Sequence, residues 1–238
     1  IPAHAAGQVA VQVTVQPAAQ SATLANGFRY TAQTAAPSSN NSVDFLMDGE
    51  EFFEAFRLAM ESLIAAPVNP LTYFRMAYWM AADDVGLGDR NYFRDANHTL
   101  INYIKRAARA GHNVDVILWH ANWKSRFSGE GRRVAEHNDR FATALAAVDR
   151  QNVLDVNRGA LAAAGRIRTY LERYEGITGS SNHQKMAIVS LAGIRTVLLG
   201  GLNLATYYFD NTAHEEGWHD TAVQLAGPAT DEVEAEWM

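Results

Sequence analysis

From residue 43 onward, short apolar runs alternate with amphipathic stretches, and each kind predicts a different element. Val43-Asp44-Phe45-Leu46-Met47 is a short apolar run. Asp48 follows with Glu51 three residues on, the pattern of a helix start closed by a capping box. Phe52, Phe56, Ala59, Met60 and Leu63 then recur at helical spacing, so one face of that helix is buried. Leu71 to Trp79 reads as an aromatic-rich strand, and Asp83-Asp84-Val85-Gly86 closes it with turn chemistry.

A second helix is predicted from about Asp95 to Ala110, stopped by Gly111, and Val114 to Trp119 as a strand. A third helix covers roughly Arg133 to Val148, and Val153-Leu154-Asp155-Val156 is expected to be another short strand. Met186 to Val189, Arg195 to Leu199 and Thr221 to Leu225 complete the strands, before an acidic helical segment over Asp231 to Met238. Strands alternating with helices indicate an α/β domain with a largely buried sheet.

Residues 1–42 differ from this pattern and are expected to form an extension outside the main domain, which is placed at 43–238. The extension is rich in Ala, Gln, Ser and Thr, and Arg29 is its only charged side chain. Alternation in Val9, Val11, Val13 and Val15 fits a short strand, and Pro37-Ser38-Ser39-Asn40-Asn41 reads as a linker or turn.

Composition narrows the function classes. No tract of 18 apolar residues is present, so no transmembrane helix is expected. The net charge of −6 argues against a general nucleic-acid binder, because phosphate backbones are held largely by Lys and Arg. Without cysteine there are no disulfides and no thiolate metal sites. The absence of an initiator Met at Ile1 points to a removed natural start, and a secreted or periplasmic bacterial location is preferred over a cytoplasmic one. Neither Asp83, Asp84 and Asp89 nor His214, Glu215, Glu216 and His219 have the spacing of a metal site, so no metal and no cofactor is expected.

The candidate chemistry lies in Ser181-Asn182-His183-Gln184-Lys185, followed by Met186-Ala187-Ile188-Val189. Strand alternation puts His183 and Lys185 on one face, one pleat apart. An imidazole beside an ammonium suits attack on a phosphodiester: the imidazole is the nucleophile, and the cation offsets charge on the non-bridging oxygens. Gly200-Gly201-Leu202-Asn203 closes the next strand, where glycines admit a ligand to the backbone and the Asn203 amide can donate to a phosphate oxygen. Asp220, in Gly217-Trp218-His219-Asp220, is placed to accept the other ring N–H of His183. Trp119 and His120, at the C-terminal end of a strand, are candidates to line a substrate crevice.

In order and spacing these elements resemble the phospholipase D superfamily, whose signature is His-x-Lys, an Asp after four further residues, then Gly-Gly and an Asn. The chain matches at His183, Lys185, Gly200, Gly201 and Asn203; Trp218 through Gly227-Pro228 and the opening at Leu46 to Glu50 also look like the family. The resemblance covers 43–238 and implies a central mixed β-sheet flanked by helices. It further implies phosphodiester hydrolysis or phosphatidyl transfer through a phosphohistidine, with a phospholipid or membrane surface as partner. The likeness is to the phospholipase D and cardiolipin synthase branch; a nuclease of the same superfamily and a non-catalytic phosphate-binding module are the alternatives. Two departures stand out. Ser190 occupies the motif's Asp position, and only one motif is present where the family uses two. Lys105 and Lys124 have no His two residues before them. The chain is therefore expected to pair with a second motif, in a C-terminal half or a second chain, with the first-half reading preferred.

Overall fold

The computed structural model describes residues 7–15, 20–30, 40–120, 129–173, 183–209 and 218–237. The chain separates into two units, residues 1–39 and 40–238. In the first, β1 (Gly7–Val15) contains the four alternating valines and pairs antiparallel with β2 (Gln20–Tyr30), a strand the sequence pattern does not announce.

The second unit is built on β3 (Ser42–Met47), β4 (Tyr73–Tyr78), β5 (Asn113–His120), β6 (Ile167–Arg173), β7 (Lys185–Leu191), β8 (Ile194–Gly200) and β9 (Thr221–Ala226). These form one seven-stranded mixed sheet in the order β3-β9-β8-β7-β4-β5-β6. The β4-β5-β6 end is parallel, and every pairing from β4 through β7, β8 and β9 to β3 is antiparallel. Four helices flank it: α1 (Asp48–Ala65), α2 (Leu100–Arg109), α3 (Gly129–Asn157) and α4 (Ala229–Trp237). The expected α/β architecture with a central mixed sheet is the one observed.

Strand alternation assigns the layers. Phe74 meets Phe56 of α1 with ring centroids 5.8 Å apart, whereas Tyr73 and Arg75 on the opposite face both bond Glu234 of α4. So α1 and α4 cover opposite faces. On the α1 side, Phe52, Phe53, Phe56, Met60, Leu63, Met76 and Tyr78 are all fully buried, the main apolar core of the domain. On the α4 side, an in-register row of charge crosses the parallel end of the sheet, where Asp115 accepts from Arg168 at 2.5 Å and faces Arg75 at 3.6 Å.

Several expectations need correction. Val153 to Val156 is not a strand but the last turn of α3, where Asp155 accepts from Arg109 of α2 at 2.7 Å and so ties the two helices together. The missing strand is β6, whose Ile167, Thr169 and Leu171 do alternate with more exposed Arg168 and Tyr170; it forms because β5 offers a parallel edge. The second helix begins at Leu100, after a 3₁₀ turn at Ala96–His98 and a Thr99 cap.

The capping box expected at Asp48 does not form. Met47 is the N-cap, and its N–H donates to Glu51 Oε2 at 2.7 Å. Asp48 stands at φ 63°, 1% exposed, with its carboxylate turned to the His219 imidazole and its N–H donating to Asp220 O at 3.0 Å. The side chain read as a local cap is thus spent on a long-range contact that fastens the Trp218–Asp220 segment to α1.

Candidate active site

Antiparallel pairing brings the working ends of four strands together. The C-terminal end of β4, the N-terminal end of β7, the C-terminal end of β8 and the N-terminal end of β9 all lie at one edge of the sheet. There a cavity of about 420 Å³ is walled by His183, Lys185, Gly200, Gly201, Asn203 and Asp220. Six of the eight residues singled out in the sequence therefore meet at one place. The remaining wall is Trp79, Glu130, Arg133, Tyr207, Tyr208 and Trp218.

His183 lies just before β7 rather than within it, but the backbone continues the ladder, with Trp79 N–H donating to Gln184 O at 3.1 Å. Lys185 Nζ is 3.1 Å from His183 Nδ1 and 3.4 Å from Nε2. Burial, reinforced by the Lys185 ammonium, holds the imidazole below its ordinary pKa against an opposing pull from Glu130. Burial also lowers Lys185, and Asp220 pulls it back up. The imidazole is thus biased to its neutral form, beside an ammonium whose charge is opposed by burial and supported by a carboxylate.

Asp220 is in the site but not in the role expected. Among the described residues its carboxylate accepts from Thr221 N–H at 2.8 Å, and no hydrogen bond to His183 is formed. Its position is set by Gly201: a Cβ there would lie 2.1 Å from Asp220 Oδ1, so only glycine leaves the carboxylate its place. Its charge raises the Lys185 pKa, and the charge of Glu130 on α3 raises that of His183, each against the lowering effect of burial. Asn203, 1% exposed, donates through Nδ2 to the Tyr208 hydroxyl at 2.8 Å.

Trp119 and His120 do not line the cavity. Trp119 is 5% exposed and stacks behind Trp79, ring centroids 5.8 Å apart, while Trp79 itself meets the His183 ring at 5.2 Å. His120 faces Asp139 of α3 at 3.6 Å. The strand end does point at the site, but the indole one strand closer to β7 takes the wall. Behind this layer sits Asn138, fully buried, which donates to Trp79 O at 2.8 Å and Trp119 O at 2.7 Å and accepts from Ala81 N–H at 2.9 Å. Asn138, Glu130 and Arg133 were not singled out as site residues from the sequence; the one signal was a polar Asn on the apolar stripe of Val134, Phe141 and Leu145.

Ser190 is fully buried at the far end of β7, donating to Leu71 O at 2.7 Å. Asp83 pairs with Arg140 and Asp89 accepts from Asn91 N–H, so both serve local structure. His214, Glu215 and Glu216 lie outside the described residues, as do Ala121, Asn122 and Trp123. Among the described residues no helix is long and apolar enough to cross a membrane.

No protein-family model matches the chain, and no curated protein matches it. Among solved structures it is similar to NucT from Helicobacter pylori, at 13% identity and a TM-score of 0.45 over 83% of this chain and 93% of that one. It is similar to phosphatidylserine synthase from Haemophilus influenzae Rd KW20, at 15% identity and a TM-score of 0.49 over 89% of this chain and 41% of that one. It is also similar to a mutant of yeast tyrosyl-DNA phosphodiesterase 1, at 10% identity and a TM-score of 0.32, covering 79% and 32%. The chain thus spans nearly all of the first and less than half of the other two.

Proposed function

We propose that this chain carries one half of a phospholipase D-type phosphodiesterase site, with His183 as nucleophile. The observation that carries the reading is the His183–Lys185 pair, 3.1 Å apart in a cavity that also presents Gly200, Gly201 and Asn203. A phosphodiester bound there places its non-bridging oxygens toward Lys185 and the Asn203 amide. The His183 lone pair attacks phosphorus, the bond to the leaving oxygen breaks, and the alcohol departs with a proton from a general acid. Water or a second alcohol then cleaves the phosphorus–nitrogen bond and restores the imidazole.

The acid is the part this half does not supply. Among the described residues of the cavity wall, His183 is the sole histidine. General acid catalysis typically contributes about 10²–10⁴-fold. A second His-bearing motif, from a continuation of the chain or another copy, provides it in this reading. The preferred substrate is a phospholipid head group at a membrane surface: the aromatic wall of Trp79, Tyr207, Tyr208 and Trp218 and the acidic net charge favour it over nucleic acid.

The experiment is turnover of a chromogenic phosphodiester, phospholipid vesicles and a DNA oligonucleotide by the wild type and His183→Ala, with mass spectrometry of quenched reactions. His183-dependent turnover, phospholipid preference and a phosphoryl adduct on His183 are expected. Turnover that survives His183→Ala would rule the nucleophile out.

A further inference from the structure

We propose that Arg133, in the second turn of α3, is a phosphate-binding residue of this site, holding a non-bridging oxygen opposite the one held by Lys185. The proposal rests on the phosphodiesterase reading for its catalytic meaning but not for its test.

Three observations converge on Arg133. It lines the same cavity as His183, Lys185 and Asn203, although it lies 50 residues from the motif and reaches the site only because α3 starts there. Its guanidinium sits 5.3 Å from the centroid of the Tyr207 ring, which fixes it at the wall without using its hydrogen-bond donors. And among the described residues it has no carboxylate partner, whereas Arg57, Arg75, Arg140 and Arg195 each hold one at 2.5 to 3.2 Å. An arginine that is stacked and positioned, with its planar fork unspent, presents the geometry that binds phosphate oxygens bidentately.

The charge balance of the cavity says why a second cation is wanted. Asp220 and Glu130 line the same cavity as Lys185, so the carboxylates of the wall already offset the lysine. With Lys185 alone, a phosphodiester anion would enter a cavity of net negative charge. Arg133 brings the balance to zero before the anion binds, and it comes from α3 whereas Lys185 comes from β7. A lysine in this place could supply the charge but not the two parallel donors.

The test is titration calorimetry of orthophosphate with the full 238-residue chain in wild-type, Arg133→Gln, Arg133→Lys and Arg132→Gln forms. Arg132 is the control, an exposed neighbour that does not line the cavity. Arg133→Gln is expected to weaken orthophosphate about tenfold or more and Arg133→Lys by less, with Arg132→Gln unchanged. Raising salt should weaken wild-type binding more steeply than binding by Arg133→Gln. Equal affinity in wild type and Arg133→Gln overturns the proposal, as does a wild type that binds no orthophosphate. Arg133→Lys keeps the charge near Tyr207, so it serves as the folded variant if the Gln form melts early. His183→Ala separates the two readings: a loss of Arg133-dependent binding is not expected from it, whereas a loss of turnover is.

Discussion

The Lys185 ammonium stands 3.1 Å from Nδ1 of His183, and its charge opposes protonation of the ring. Because the cation disfavours imidazolium, His183 is held below its ordinary value, with burial the larger cause. Lys185→Met removes the cation and should move the His183 midpoint upward in an NMR titration of the ring. The same variant should lose about 10²–10³-fold in turnover, the usual cost of removing one stabilising donor from a developing oxyanion. An unchanged midpoint would show that the two side chains do not interact in solution.

Asp220 should control the alkaline side of the pH profile. Its charge raises the Lys185 pKa against the lowering effect of burial. Asp220→Asn removes that support, so Lys185 loses its proton at lower pH and the alkaline limb of activity should shift down. The acidic limb, which reports His183, should move little. A shift of the acidic limb instead would assign Asp220 to the imidazole after all.

Gly201→Ala should separate activity from folding. The added methyl group would lie 2.1 Å from Asp220 Oδ1 and 2.5 Å from Oδ2, so the carboxylate must leave its place. Overpacking of this kind costs about 1–3 kcal/mol, and the carboxylate is next to solvent, so the domain should still fold. Turnover should fall at least as far as in Asp220→Asn, measured beside a thermal melt of each variant.

Ser190→Ala should leave activity intact and cost about 1 kcal/mol of stability, the worth of the buried hydrogen bond to Leu71 O. Ser190→Asp, which places the residue of the phospholipase D signature here, should be the more damaging change. It places a larger, charged group at a fully buried position facing a carbonyl oxygen. Denaturant melts of both variants decide this, and loss of activity in Ser190→Ala would make the hydroxyl functional.

Asn138→Asp tests whether the back wall positions the site. It exchanges the two amide hydrogens given to Trp79 O and Trp119 O for a carboxylate oxygen facing both carbonyls. Leaving these buried groups unsatisfied costs about 1–3 kcal/mol each. The melting temperature should drop, and the Trp fluorescence should change as Trp79 and Trp119 lose their fixed stack.

Periodicity and local chemistry were enough for the α/β class, for most strands and for the core face of α1, because these depend on neighbours within a few residues. The same holds for His183, Lys185, Gly200, Gly201 and Asn203, whose spacing along two adjacent strands survives into space through β7–β8 pairing. Assignments failed where a side chain or segment was settled by a distant partner. Asp48 has the pattern of a cap, yet it binds His219, and Val153 to Val156 has strand composition but continues a helix held against α2. Glu130 and Arg133 reach the cavity, and Asn138 the indole layer behind it, only because α3 begins at the edge where four strands end. Nothing in their local sequence carries that information: a residue's chemistry is read from its type, but its partners are chosen by the packing of helix against sheet.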